Sequence, residues 1–447
     1  MQGSAARRIL SQAWPIFIAQ LAAMAYATLD TMMTGHASSQ DLAAMAIGAS
    51  VYFSIFVALM GVIAALNPIV AHHYGAGDRR AVGASAVQGL WLALLLSLAG
   101  APLLAFPELW LDWITLAPEV RVIVVGYVRV LALALPAALS FRVVFALNTA
   151  ISRPKVVMVL QSGGLLLKAA LNYALIFGAG PLPALGAVGC AVASAVVYWA
   201  MFAIAALWTR FDASYREFEF CFAWPSWELL KPQLRLGVPM GLSFGIEVTS
   251  FTFMALLVAR LGTEVVAGHQ IIANLASVCF QIPIALGVAT ATSTAQALGA
   301  REPRLAGRVA MTGIYIGLAA AALTSLALWW LRVPLVGLYT ADARVAAVAL
   351  SLIGYLIAFH VFDALQGITG HVLRAHKIAI VPTLIYALAL WGVGLAGGYA
   401  LAFGTLLGPA RGASGLWLMQ AAALCLASLA LLALYLLRRG RVELAAR

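Results

Sequence analysis

Charge is what this sequence has least of. Asp, Glu, Lys and Arg together make up 10% of its 447 residues while 64% are hydrophobic, whereas a soluble globular chain carries about 25% charged residues. The shortage runs along the entire length, so it excludes a water-soluble fold with a single membrane anchor. Cysteine is nearly as scarce. Cys190, Cys221, Cys279 and Cys425 stand singly, without the close pairs that a zinc site or a redox dithiol needs, and read as packing residues. His269, His360 and His371 are spread over two spans, and His72, His73 and His376 fall in loops. None has metal-ligand spacing, so no metal is expected beyond a transported sodium ion. A polar loop with an acidic DxD-like motif is also missing, which argues against a membrane-embedded enzyme such as a lipid transferase. Neither catalytic residues nor a cofactor are expected. The formal charge of +11 is not gathered into the basic patch of a nucleic-acid binder.

Apolar runs fill the chain instead. Stretches long enough to cross a hydrocarbon core of roughly 30 Å at about 1.5 Å per residue occur near 9–34, 42–71, 82–106, 119–147, 156–178, 186–209, 233–261, 265–297, 305–332, 345–372, 378–404 and 412–437. They are continuous, not short and alternating, and Gly/Pro-rich turns such as GAGPLP at 178–183 and FGTLLGPARG at 403–412 separate them. A β-barrel is thereby excluded, and the fold class is an all-α polytopic membrane protein of twelve transmembrane helices. No small-residue cleavage site follows MQGSAARRIL, so the first helix is expected to stay. With the N-terminus placed in the cytoplasm, 19 of the 27 Lys and Arg fall in cytoplasmic segments, among them Arg7, Arg8, Arg79, Arg80, Arg153 and Lys155. Only Arg121, Arg260, Arg332, Arg344 and Arg411 lie opposite. That asymmetry puts both termini in the cytoplasm.

The longest polar stretch, from Thr209 to about Pro232, divides the chain near its middle. An internal repeat supports the division. GAGDRRAVG at 75–83 returns as GAREPRLAG at 299–307, a shift of 224. The same shift lays Pro15 on Pro239 and Ile47 on Ile271, and a shift of 226 lays GAVG at 186–189 on GASG at 412–415. The expected organisation is a six-helix lobe at 1–209, a cytoplasmic loop at 210–232 acting as a hinge or an interfacial anchor, and a second six-helix lobe at 233–447. Each half holds an even number of spans, so the copies share one orientation and are related by a pseudo-two-fold axis along the membrane normal, with substrate expected at the repeat interface.

An ionisable group in hydrocarbon is costly and persists where it faces a cavity or a partner. Those inside the spans are Asp30, Arg129, Arg142, Lys168, Glu247 and Asp363. Glu247 lies 12 residues beyond Arg235 and Asp363 lies 11 before Arg374, roughly 18 and 16 Å above their cytoplasmic helix ends. Two carboxylates at one depth suit a sodium ion or a shared proton, unless each bonds a neighbouring helix as structural glue. Asp30 and Asn172 lie roughly 8 and 9 Å from the outer ends of their spans and are within reach of each other. Lys168 shares a helix face with Asn172 at i, i+4, so it extends to Asp30 as an intramembrane ion pair that is either a coupling element or purely structural. Arg129 and Arg142 read as snorkelling residues.

Several segments resemble the multidrug and toxic compound extrusion (MATE) family, NorM-like branch: LDTMMTGHASSQDLAAMAIGASVY at 29–52, QGLWLAL at 88–94, GIEVTSFTFMALLVARLGTEVVAGHQIIANL at 245–275 and FDALQGITGHVLRAHK at 362–377. The resemblance implies two six-helix lobes around a central cavity, in a monomer of the bacterial inner membrane. It implies export of organic cations or amphiphilic drugs in exchange for inward protons or sodium ions. By the match, Glu247 and Asp363 are the cation site of the second lobe, and Asp30 with Asn172 the polar cluster of the first. Two departures stand out: Lys168 replaces an uncharged Asn of relatives, and Phe359 replaces a Tyr that sodium-using relatives carry. The alternative within the superfamily is a flippase for a lipid-linked precursor, which wants a basic cavity, and only Lys168, Arg129 and Arg142 offer one.

Overall fold

A backbone in hydrocarbon has no water to bond, so each crossing segment must satisfy its own N–H and C=O groups, which a helix does. In a computed structural model, residues 5–113, 115–179, 183–404 and 409–445 are described; the turn motifs at 178–183 and 403–412 lie partly outside them. Twelve described helices are long and apolar enough to cross a membrane: α1 Ala5–Ala37, α2 Ser39–Gly75, α3 Arg79–Ala105, α4 Pro118–Ala150, α5 Pro154–Ile176, α6 Gly186–Phe211, α7 Trp227–Ala259, α8 Thr263–Gly299, α9 Pro303–Trp330, α10 Ala343–Ala375, α11 Ile380–Phe403 and α12 Gly412–Arg439. No extended strand occurs among the described residues. The α2 helix runs four residues beyond its expected end at 71, so His72 and His73 sit on its last turn and not in a loop. Helices α4, α5 and α9 begin with Pro in their first turn, where its missing N–H costs nothing. Ser38 caps α2 by accepting from Asp41 N at 2.9 Å, and Asp41 Oδ1 in turn accepts from Ala187 N at 2.7 Å, fastening the start of α6.

Two bodies form. The first is Trp14–Gly241; the second comprises Met1–Ala13 and Leu242–Arg447. The boundaries fall inside α1 and α7, next to Pro15 and Pro239, where a proline removes an intrahelical hydrogen bond and weakens helix continuity. In the first body α4 packs on α2, α3 and α6, and α5 on α6. In the second α10 packs on α8, α9 and α12, and α11 on α12. The packing scheme of one copy thus recurs in the other.

The repeat also reaches the backbone. Positive-φ residues pair at the shifts found in sequence, Gly77 (φ 76) with Arg301 (φ 60) at 224 and Gly178 (φ 81) with Gly404 (φ 69) and Gly186 with Gly412 (both φ 56) at 226, while Ser152 (φ 63) pairs with Lys377 (φ 58) at the intermediate shift of 225. Turns that leave one helix and start the next are therefore built alike in both halves.

The segment between α6 and α7, expected as a hinge or an anchor, is strapped onto the first body. Its 3₁₀ turn Ala213–Phe218 buries Tyr215 and Phe218. The Tyr215 hydroxyl donates to Asn148 Oδ1 of α4. Gln88 of α3 donates to Trp224 O at 2.9 Å and accepts from Ser226 N at 2.9 Å, while Trp91 donates to Ala223 O at 2.8 Å. Hydrogen bonds from Ser214 hold the Asp212 carboxyl below the usual carboxylate range, facing Arg153 at 3.5 Å. Gly83 is required here, because a Cβ would meet Phe218 O at 1.9 Å.

Candidate functional site

The six ionisable residues inside the spans fall into two clusters, one per body, with Arg129 and Arg142 apart. In the first body, α1 presents Asp30 to α5. Asn172 Nδ2 donates to Asp30 Oδ1 at 2.8 Å, and Lys168 Nζ lies 3.0 Å from the same oxygen. Lys168 also donates to Ser194 Oγ of α6, whose hydroxyl donates to Cys190 O at 3.0 Å. The lysine is 3% exposed and Asp30 15%. The i, i+4 spacing on α5 thus does what it promised: one turn of helix delivers an amide and an ammonium to one carboxylate oxygen. Ser194 was not foreseen, because a lone serine in an apolar helix carries no periodic signal. Beside the cluster, Leu29, Met32, Met33 and His36 of α1 with Tyr173 and Phe177 line an open recess of about 530 Å³.

In the second body, α7 and α10 bring Glu247 and Asp363 together. Phe251 and Phe359 meet edge to face with centroids 5.5 Å apart; each lies four residues from its acid, so the two carboxyls share a level on adjoining helices. Glu247 acts electrostatically on Asp363, and both act on the Tyr386 hydroxyl of α11. Gln366, one turn after Asp363, donates to its Oδ1 at 3.0 Å, while Gln366 Oε1 is buried without a partner. Phe359 packs on Trp417 at 5.6 Å, and Trp417 donates to His269 Nδ1 at 3.2 Å, so His269 is tied up in packing. Arg374, counted from sequence among the cytoplasmic cations, is 6% exposed; its guanidinium lies 4.7 Å from the Phe244 centroid and acts on Glu247. The cluster therefore holds two acids and one fixed cation. Gln366 was findable from its i+3 spacing, but Tyr386 and Arg374 depend on helix rotation that sequence does not state.

Arg129 bonds Glu108 at 2.9 Å and Ala105 O at 3.2 Å at an exposed helix end. The Arg142 guanidinium carbon lies 5.5 Å from the Phe56 centroid and 5.6 Å from the Phe145 centroid.

Comparison with known proteins bears on this architecture. The MatE family model matches residues 15–174 and 239–400. The two matched stretches begin 224 residues apart, from 15 to 239, and end 226 apart, from 174 to 400. The "Probable multidrug resistance protein NorM" of Aromatoleum aromaticum is 42% identical over 400 residues, covering 89% of this chain and 86% of that protein. "Multidrug resistance protein PmpM" of Pseudomonas aeruginosa is 36% identical, covering 92% and 87%. Among solved structures, the eukaryotic MATE transporter AtDTX14 superposes with a TM-score of 0.88 at 21% identity, covering 98% of this chain and 97% of that one. An outward-facing MATE transporter of the MOP superfamily superposes with a TM-score of 0.89 at 19% identity, covering 99% and 97%; at such identities the likeness shows the fold. With its twelve membrane-length helices and a family match over both halves, the chain is a multi-pass membrane protein that belongs to the MatE family.

Proposed function

We propose that the chain is a secondary active multidrug exporter that moves organic cations or amphiphilic drugs out of a bacterial cell, across the inner membrane, against inward protons or sodium ions. It works as a monomer in lipid, with both termini in the cytoplasm, by transport and not by catalysis. The relatives' names, multidrug resistance proteins of bacteria, support the substrate class. The observation that carries the mechanism is the pairing of Glu247 with Asp363 on adjoining helices. With both ionised, Arg374 offsets one charge and one negative charge stays uncompensated, a place for one monovalent cation. A proton or sodium ion there cancels that charge and weakens the pull on a cationic drug, so ion and drug alternate. In the first body Lys168 already neutralises Asp30, so protonating Asp30 frees the ammonium to rest on Ser194 alone. The Met- and aromatic-lined recess next to this pair offers apolar and π surface to amphiphiles. The test is efflux of a fluorescent organic cation from cells: Glu247→Gln and Asp363→Asn each abolish it at wild-type expression, and full efflux by both variants would falsify the assignment.

A further inference from the structure

Arg374 enters the exporter reading only as a charge that offsets another, and where it stands has a meaning of its own. Along α10, Asp363, Gln366, Gly370 and Arg374 recur at steps of three, four and four, so they form one stripe of the helix. The stripe runs from the acid pair to the end of α10 at Ala375, the cytoplasmic end in the orientation proposed for the chain. Three of its positions carry polar groups, and the fourth opens to one: a Cβ on Gly370 would lie 2.6 Å from the Tyr386 hydroxyl of α11. A polar column thus descends from the carboxyls through Gln366, whose Oε1 has no hydrogen-bond partner, and the Tyr386 phenol to Arg374. Side chains on a helix slant towards its N-terminus, so Arg374 rises along this column. Its guanidinium lies 4.7 Å from the Phe244 centroid, and Phe244 precedes Glu247 by three residues on α7, roughly 4.5 Å nearer the cytoplasm. On both helices the cation stands below the acids. An arginine buried for structure alone is normally paired. Arg374 is 6% exposed, yet among the described residues its side chain makes no ion pair and no hydrogen bond, and rests only on the Phe244 face. The titratable groups that face it are Glu247 of α7, Tyr386 of α11 and His371 of α10, whose Nδ1 lies 2.7 Å from Gly367 O.

We propose that Arg374 is a cation plug: it closes the polar column beneath Glu247 and Asp363 to a proton or sodium ion, so that the coupling ion leaves the pair only when the transporter changes its access. A positive charge fixed in a polar path repels a travelling cation, as arginines do in pores that exclude protons. In the weakly polarisable interior that repulsion is poorly screened. Without the charge, polar groups would join the acids to the cytoplasm, and the ion gradient would run down with no drug moved. The plug rests on the antiport reading and gives its acid pair a single exit.

The test is proton entry, with no drug present, into phosphatidylcholine vesicles that hold the purified full chain and a trapped pH-sensitive dye, with potassium and valinomycin to clamp the membrane potential. After an acid step outside, protons enter wild-type vesicles no faster than protein-free ones. Arg374→Gln, which keeps a polar side chain and removes the charge, speeds entry about tenfold, the scale of a unit charge about 10 Å away at an effective dielectric of about 20. Arg374→Lys restores most of the seal, which a purely structural role for the guanidinium does not predict. Adding Glu247→Gln and Asp363→Asn to Arg374→Gln removes the leak again, because no acid then loads the column. Arg374→Gln vesicles as tight as wild type, an equal leak in Arg374→Lys, or a leak that survives the loss of both acids overturns the plug. If Arg374→Gln does not reconstitute, Arg374→Ser decides by the same three criteria. Export of the fluorescent cation under the same pH gradient separates the two claims. A wild type that moves no drug overturns the antiport reading and the plug with it, whereas a tight Arg374→Gln beside a wild type that exports overturns the plug alone.

Discussion

Lys168 carries the most consequence of any single residue in the first body, because an ammonium 3% exposed survives there only through its partners. Deleting one member of a buried ion pair typically costs about 3–5 kcal/mol, most of it from stranding the other charge. Asp30 keeps some contact with solvent, so Lys168→Met falls toward the low end, while Asp30→Asn strands the fully buried cation and costs more. Asp30→Asn with Lys168→Met together leaves no charge behind and is more stable than Asp30→Asn alone. Unfolding midpoints of the purified variants in detergent check this through a double-mutant cycle; simple additivity would mean the pair contributes no coupling. Asp30, Lys168 and Asn172 were legible in sequence because depth and i, i+4 spacing act along one helix. Ser194, Tyr386 and Arg374 were not, since their partners are set by how one helix is rotated against the next.

Helix ends show the same division between what sequence states and what packing adds. GAGDRRAVG and GAREPRLAG announced a shared turn after α2 and α8, and Gly77 marks its left-handed position openly. Its counterpart is Arg301 at φ 60, and the next pair, Ser152 and Lys377, holds no glycine at all. Left-handed turns are normally read from glycine, so sequence carries no sign of these. Gly77 has nothing within 4 Å of a prospective Cβ, which isolates the backbone cost from sterics. Gly77→Ala is therefore expected to destabilise by about 1 kcal/mol. Arg301→Gly, which relieves a strained conformation against the entropy of a freer unfolded chain, is expected to raise stability by up to about 1 kcal/mol. Thermal midpoints of both variants read the opposite signs, and a fall in the Arg301→Gly midpoint would mean that its side chain contributes more than its φ costs.

For the whole molecule, duplication has produced two bodies with the same helix packing but unlike charge. The first holds Asp30 neutralised by Lys168, and the second holds Glu247 and Asp363 against a single Arg374. A proton can act on both: it cancels the surplus charge of the acid pair, and it breaks the Asp30–Lys168 attraction by neutralising Asp30. We expect sodium to serve only the second body, because Lys168 Nζ already lies 3.0 Å from Asp30 Oδ1, in the place a metal ion would need. Even there Phe251 and Phe359 flank the acids on one side with rings that offer no oxygen ligand, whereas sodium, like other hard cations, is held by oxygens. We therefore expect a pH gradient, acidic outside, to drive export of a fluorescent organic cation from proteoliposomes without sodium, and an inward sodium gradient at uniform pH to drive little. Lys168→Asn should leave proton-driven export impaired and the response to sodium no better, since the acid pair is untouched. Sodium-driven export as fast as proton-driven export in the wild type would reverse the assignment and put the metal ion between Glu247, Asp363 and the unpartnered Gln366 Oε1.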